Sequence, residues 1–318
     1  MRPPPTFTGL EILLVLCFTG CQARAGSGGG RAGGARSSTA EFKGSAALSY
    51  VQKQLSFGPR IPNTPGHDKM GDWLLGELRA RADTVIVQSF QQRTSKGKTL
   101  QLRNYFAQFN PKATDRVLFL AHWDTRPFAD KSQNLGQQRL PVPGANDGGS
   151  GVAVLLGVAD ALKAKAPSSA IGVDLLFVDG EDYGDFSDST ETLLGARYFA
   201  KHQPPGYTTL YAVLFDMVGD KDLGIQQEGY SVANAPEVVQ RVWQTADRLG
   251  YSRAFQPRVG PYGSLTDDHV PLQQAGIRAI DVIDFEFPYH HTTEDTLDKV
   301  SAESLQIVGD VAVALVRQ

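Results

Sequence analysis

Chemistry in this chain is concentrated at a few short stretches, and they share one pattern. His122-Trp123-Asp124 follows the apolar run Val117-Leu118-Phe119-Leu120-Ala121, and Asp179-Gly180-Glu181-Asp182 follows Val173-Asp174-Leu175-Leu176-Phe177-Val178. Asp216 ends Ala212-Val213-Leu214-Phe215, and Tyr289-His290-His291-Thr292 comes soon after Ala279-Ile280-Asp281-Val282-Ile283. A fifth acid, Asp147, sits in the glycine-rich stretch Gly144-Ala145-Asn146-Asp147-Gly148-Gly149-Ser150-Gly151. Taken singly, each has a plainer reading. Asp147 could cap a helix, Asp179 to Asp182 could be a solvated turn, and a lone His122 is more often structural. Asp216 is harder to dismiss, because an unpaired buried carboxylate is costly. Together, imidazoles and carboxylates converging without thiolates are the donor set of a divalent metal such as zinc. The only cysteines are Cys17 and Cys21, so neither a disulfide framework nor a thiolate site is available to the rest of the chain.

These residues need a scaffold that gathers strand ends. Apolar runs without alternation read as strands covered on both faces. Between them lie helical patterns at 152–165, 193–202, 236–249 and 302–316, preceded by helices at 46–55 and from Asn63-Thr64-Pro65-Gly66 onward. Strands are further expected at 84–90 and 105–109. Strands alternating with helices predict an α/β layered fold with a mostly parallel sheet, in which sites form beyond the carboxyl ends of the strands.

The 318 residues carry 31 Lys+Arg against 34 Asp+Glu, a net charge of −3 with ordinary globular composition. A disordered chain and a basic nucleic-acid binder are excluded on that ground. The N-terminus differs from the rest. Ile12 to Phe18 is an apolar run too short to cross a bilayer, which takes about 20 residues, and suits the core of a secretory signal. Phe18-Thr19-Gly20-Cys21 resembles a bacterial lipoprotein box, with lipid expected on Cys21; a plain secretory signal is the alternative. Residues 1–21 are therefore expected to be a signal peptide of lipoprotein type. Residues 22–40, with six glycines, three arginines and no acid, are expected to be a flexible linker, and 41–318 one domain. The protein is expected outside the cytoplasm, periplasmic or anchored at the outer membrane, touching a membrane only through that lipid.

The order His-x-Asp, Asn-Asp-Gly-x-x-Ser-Gly, Gly-Glu-Asp, Asp-Met-Val-Gly and His-Thr-x-x-Asp-Thr resembles the zinc aminopeptidases of family M28 over residues 45–318. The resemblance implies a three-layer sandwich, with a mixed, mostly parallel central sheet flanked by helices. It also implies six site positions: His122, Asp147, Glu181, Asp182, Asp216 and His291. In two-zinc members Asp147 bridges, one metal takes Asp182 and His291, and the second takes His122 and Asp216. Within the family the chain looks most like the glutaminyl cyclases, through stretches such as His122-Trp123-Asp124-Thr125-Arg126-Pro127 and Thr266-Asp267-Asp268-His269-Val270-Pro271. That branch implies one zinc on Asp147, Asp182 and His291, with Glu181 as proton carrier and Asp267 hydrogen-bonded to Asp216 as a catalytic carboxylate pair. The reaction implied is cyclisation of an N-terminal Gln of a peptide or protein to pyroglutamate with release of ammonia. The alternative is a zinc aminopeptidase with two metals. Those cyclases place a tryptophan directly before the metal His, where this chain has His290, so the pocket wall is assigned to Tyr183, Phe186, Phe287, Tyr289 and His290. His67, His202 and His269 read as structural or surface residues, and the enzyme is expected to be a monomer.

Overall fold

A computed structural model describes residues 1–3, 41–186 and 190–317. The chain divides into Met1–Thr39 and Ala40–Gln318. The signal peptide expected at 1–21 and the linker at 22–40 thus lie, beyond the first three residues, outside the described residues.

Six strands form the central sheet: β1 (Thr84–Arg93), β2 (Thr99–Phe109), β3 (Asp115–His122), β4 (Ile171–Val178), β5 (Tyr211–Asp216) and β8 (Ala279–Ile283), in the order β1-β2-β4-β3-β5-β8. β3, β4, β5 and β8 run parallel, while β1 and β2 form an antiparallel hairpin whose β2 also pairs antiparallel with β4. A separate two-stranded ribbon joins β6 (Ile225–Gln227) to β7 (Phe255–Val259). Strand periodicity divides the parallel strands between two cores. Val117, Phe119, Ala121, Val173, Leu175, Phe177, Val213 and Phe215 face one way. They meet α1 (Gly44–Leu55), α3 (Gly149–Ala164) and α8 (Ala302–Leu315), which also pack on each other. Leu118, Leu120, Leu176, Val178, Ala212 and Leu214 face the other way, with Phe199 of α4 (Leu194–Lys201) and Leu272 of α7 (His269–Gln274). The result is the three-layer sandwich with a mixed, mostly parallel sheet. Among the described residues no helix is long and apolar enough to cross a membrane.

Two helix starts shape the loops around the strand ends. α2 (Pro65–Arg79) starts as its sequence directs, with Thr64 Oγ1 accepting the His67 N–H at 3.4 Å and Pro65 at the first turn. Helix α3 is capped by Gly148, not by Asp147: the cap has φ 75° and no side-chain bond. A side chain at 148 would be strained there, and its Cβ would lie 2.9 Å from Asp124 O and from His122 Cε1. The capping reading of Asp147 is thereby overturned, and its carboxylate is free for other work. The remaining elements are α5 (Gly229–Asn234), α6 (Pro236–Leu249) and a short 3-10 turn at Leu297–Lys299.

Candidate active site

The parallel strands end together, and their ends carry the acids and imidazoles. His122 closes β3, Glu181 and Asp182 follow β4, and Asp216 closes β5. Asp147 enters from the loop before α3. His291 comes from the loop after β8 with φ 56°, a left-handed backbone that is uncommon outside glycine, and Met217 next to Asp216 has φ 46°.

Asp147 sits between two groups. Its Oδ1 is 3.1 Å from His122 Nε2, which also lies 3.2 Å from Asp216 Oδ1. Its Oδ2 is 3.6 Å from His291 Nε2 and 4.0 Å from His290 Nε2. His291 Nε2 in turn is 3.2 Å from Asp182 Oδ1. Donor atoms of His122, Asp147 and Asp216 all lie within 4.8 Å of one another, and so do those of Asp147, His290 and His291. All of these but His290 are more than nine-tenths buried.

Two further aspartates hold the ligand-bearing loops by their backbone. Asp124 accepts the N–H groups of Glu181 and Asp182 at 3.1 and 3.2 Å. Asp295 accepts those of Asn146 and Asp147 at 2.8 and 3.0 Å. Arg126 completes the frame. Its guanidinium forks onto Asp130 at 2.8 and 2.7 Å and reaches Asp182 Oδ1 at 2.8 Å, while Asp130 Oδ1 stands 3.6 Å from His291 Nδ1. Asp130 thus orients His291 from the far side of its ring, while Arg126 holds Asp182 through Oδ1, the oxygen that also faces His291.

The electrostatics call for added positive charge. Burial raises Glu181 well above the ordinary carboxylate range; His122 opposes the rise, and Asp182, Asp267 and Asp268 add to it. Asp267 is pushed up to about 8 by burial and by Asp216. Burial would pull His122 down, but Glu181 and the hydrogen-bonding carboxylates of Asp124, Asp147 and Asp216 outweigh it and hold the ring well above its ordinary value. Asp147, despite burial, is held well below its ordinary value by His122, His291 and His290. Asp147 Oδ2 and Asp182 Oδ2 are buried and accept no hydrogen bond. Orphaned carboxylate oxygens beside imidazole nitrogens, with no sulfur donor, fit a divalent cation of the zinc type.

A cavity of about 440 Å³ opens over these groups, lined by Glu181, Asp216, Asp267 and His291 among others. Phe186 and His290, both expected in the pocket wall, line it. Tyr183, Phe287 and Tyr289 do not. Tyr183 packs beside Leu100, Leu102 and Leu194 with its hydroxyl 3.3 Å from Lys98 Nζ. Phe287 is buried with Met217 and Ile283, and Tyr289 lies under Lys299. The cavity is also lined by the aromatic Phe285, a residue that no motif in the sequence singles out. Asp216 raises the proton affinity of Asp267, but the hydrogen bond found for the Asp267 carboxylate is a local one: it accepts the Asp268 N–H at 2.5 Å. His67 and His269 are buried structural residues. His67 is held by Asp179 at 2.9 Å and stacked on Trp123, and His269 is paired with Glu228 at 3.2 Å.

Residues 104–316 match the model of peptidase family M28. The chain belongs to family M28. Its solved neighbours in that family include glutaminyl cyclases and zinc-dependent exopeptidases. The glutaminyl cyclase of Porphyromonas gingivalis is 38% identical, with a TM-score of 0.82 over 86% of this chain and 97% of that one. A Zn-dependent exopeptidase of Parabacteroides distasonis is 36% identical, with a TM-score of 0.83 over 87% and 98%. Aminopeptidase YwaD of Bacillus subtilis is 27% identical over 88% of this chain, which spans 58% of that relative's length.

Proposed function

We propose that this M28 member is a zinc-dependent glutaminyl-peptide cyclotransferase. The observation that carries the reading is that three carboxylates, Glu181, Asp216 and Asp267, line the same cavity. A two-metal hydrolase uses Asp216 as a ligand and Glu181 as a base. Asp267 gains a task where protons must be moved within the site, from an amine to a departing ammonia.

In this reading Asp147, Asp182 and His291 hold the zinc, which when bound polarises the γ-carboxamide of the substrate as a Lewis acid. The protein's own work is proton handling and placement. The α-amine nitrogen forms the new bond to the γ-carbon, and the C–N bond to the amide nitrogen breaks. Glu181 takes the proton from the α-amine and delivers it to the leaving nitrogen, which departs as ammonia. The elevated proton affinity of Glu181 suits a group that must both accept and return a proton near neutral pH. Asp216 and Asp267 hold a proton beside it. Attack is intramolecular, so no water nucleophile is required. The cavity lined by Phe186 and Phe285 takes one side chain and leaves the rest of the peptide outside.

A second reading is favoured by one observation: His122, Asp147 and Asp216 form a complete second donor set. With two metals the same site is an aminopeptidase. Incubating the purified protein with a glutaminyl dipeptide, with and without a chelator, separates the two. Ammonia and pyroglutamate support the cyclase; a free N-terminal amino acid supports the peptidase and overturns it.

We also propose that the enzyme is exported and lipidated on Cys21, on the strength of the sequence of residues 1–40. Lipid labelling lost in Cys21→Ser tests the anchor.

A further inference from the structure

His290 poses a question that the candidate ligands leave open. Its Nε2 lies within ligand range of Asp147 and His291, so distance alone allows it to take the place assigned to Asp182. Two consecutive histidines on one metal would change the site's charge and remove His290 from contact with the substrate.

The other ring nitrogen decides the matter. His290 Nδ1 stands 3.0 Å from Lys131 Nζ. A lysine ammonium has three donors and no acceptor, so the nitrogen facing it must be the bare, accepting one. In a neutral imidazole the single proton then resides on Nε2. An Nε2–H cannot ligate a metal, since ligation uses the lone pair that the proton occupies.

Lys131 is well placed to impose this. Its own N–H donates to His291 O at 3.2 Å, which ties it to the loop that bears both histidines. Its ammonium lies 5.5 Å from the centre of the Phe285 ring. The His290 ring is held edge-on to Phe285 at 5.3 Å and to His291 at 3.9 Å, which fixes its plane; His290 lines the cavity, and its Nε2 lies on the site side, 4.0 Å from Asp147 Oδ2. Arg126, for its part, occupies Asp182 Oδ1 and leaves Oδ2 without a partner, which keeps Asp182 available as the ligand.

We propose that Lys131 is a positioning residue that fixes His290 as its Nε2–H tautomer, barring it from the metal and making it a hydrogen-bond donor to a carbonyl oxygen of the substrate's first residue. The donor role rests on the cavity's being the site for a peptide N-terminus, as in the cyclase reading. The tautomer and the exclusion from the metal do not.

The test uses the zinc-loaded full-length protein. Side-chain nitrogen NMR should show His290 with a proton on Nε2 and no bond to zinc, and Lys131→Met should abolish that tautomer preference. In chelator competition, His290→Phe should change zinc affinity by no more than about fivefold, the scale of one lost hydrogen bond. His291→Ala should weaken it beyond the roughly 10–100-fold typical of lost outer partners. With a glutaminyl dipeptide, His290→Phe should raise KM about tenfold, and His290→Gln, which restores an N–H near the same place, should recover most of it. A wild-type His290 bound to zinc through Nε2, or a His290→Phe variant that loses zinc as His291→Ala does, overturns the tautomer assignment. An unchanged KM in His290→Phe overturns the donor role. If the dipeptide is not turned over at all, the cyclase reading fails, while the NMR and zinc measurements still decide the tautomer.

Discussion

Asp295 holds Asp147 without touching its carboxylate: Asp295 Oδ2 accepts the Asp147 N–H at 3.0 Å, while Oδ1 accepts the preceding N–H of Asn146 at 2.8 Å. Both oxygens of one buried carboxylate are thus committed to the loop that presents a candidate ligand. Asp295→Asn would turn an amide N–H₂ toward one of those N–H groups. Zinc affinity is expected to fall about 10–100-fold, the usual cost of losing an outer partner of a metal site, with the fold retained. Chelator competition beside circular dichroism checks it; unchanged affinity would reduce Asp295 to a structural role.

Glu181→Gln is nearly isosteric and removes the proton carrier while sparing the ligands. Turnover is expected to fall about 10²–10⁴-fold with bound zinc unchanged. Loss of zinc in this variant would make Glu181 a ligand, and full activity would remove it from the mechanism.

Zinc removal should destabilise the fold, because binding to the native state alone adds stability, about 2.7 kcal/mol when zinc stands at 100 times its dissociation constant. A chelator is expected to lower Tm in the wild type and to leave His291→Ala, already poor in zinc, almost unmoved. Equal shifts in both proteins would place the stabilising metal elsewhere.

Asp284, at the end of β8, is pushed up to about 6 by burial, and it accepts the Gly224 N–H at 2.8 Å. A carboxyl whose folded-state pKa lies above its unfolded one costs no stability while both states are protonated. It costs progressively more as pH rises from about 4 to 6, and a constant amount above. Asp284→Asn keeps an oxygen for Gly224 and should be more stable than the wild type at pH 8, by an amount on the order of 1–3 kcal/mol. That gain should vanish near pH 4. Denaturant midpoints at the two pH values are the measurement, and a gain that does not depend on pH would refute the titration.

The parallel strands are readable because β3, β4, β5 and β8 are mostly apolar and buried on both faces, with Asp174 in β4 and Asp281 in β8 as buried exceptions. The first half of β2 carries a weaker signal: only Leu100 and Leu102 are apolar there, an alternation too short to stand out beside the apolar Tyr105–Phe109. The ribbon of β6 and β7, three and five residues long, is too short to carry a period. In the site, His122, Asp147, Glu181, Asp182, Asp216 and His291 stood out because strand ends and a glycine turn presented them. Arg60, Asp130 and Lys131 carried no such signal, since they act on backbone groups or on other side chains that only the fold brings near. Asp295 was visible in His-Thr-x-x-Asp-Thr, but nothing in a sequence says that its partners are two N–H groups nearly 150 residues earlier. Tyr183, Phe287 and Tyr289 look like pocket walls in the sequence but pack into small apolar clusters beside the site, because residue type alone does not say which way a loop side chain turns.

Arg60 has a wider consequence. Its guanidinium, wholly buried, donates to Pro143 O at 2.6 Å and Gly144 O at 2.7 Å, just ahead of Asp147, and its own N–H donates to Thr125 Oγ1 at 2.7 Å. His67 likewise grips Asp179 beneath Glu181 and Asp182. Both lie before residue 104, where the family match begins. A chain trimmed to the matched stretch would keep all six site positions and lose the two side chains that brace their loops. The length of sequence by which such a protein is recognised is therefore shorter than the length it needs to work, and an expression boundary drawn from the match alone would cut through the working enzyme.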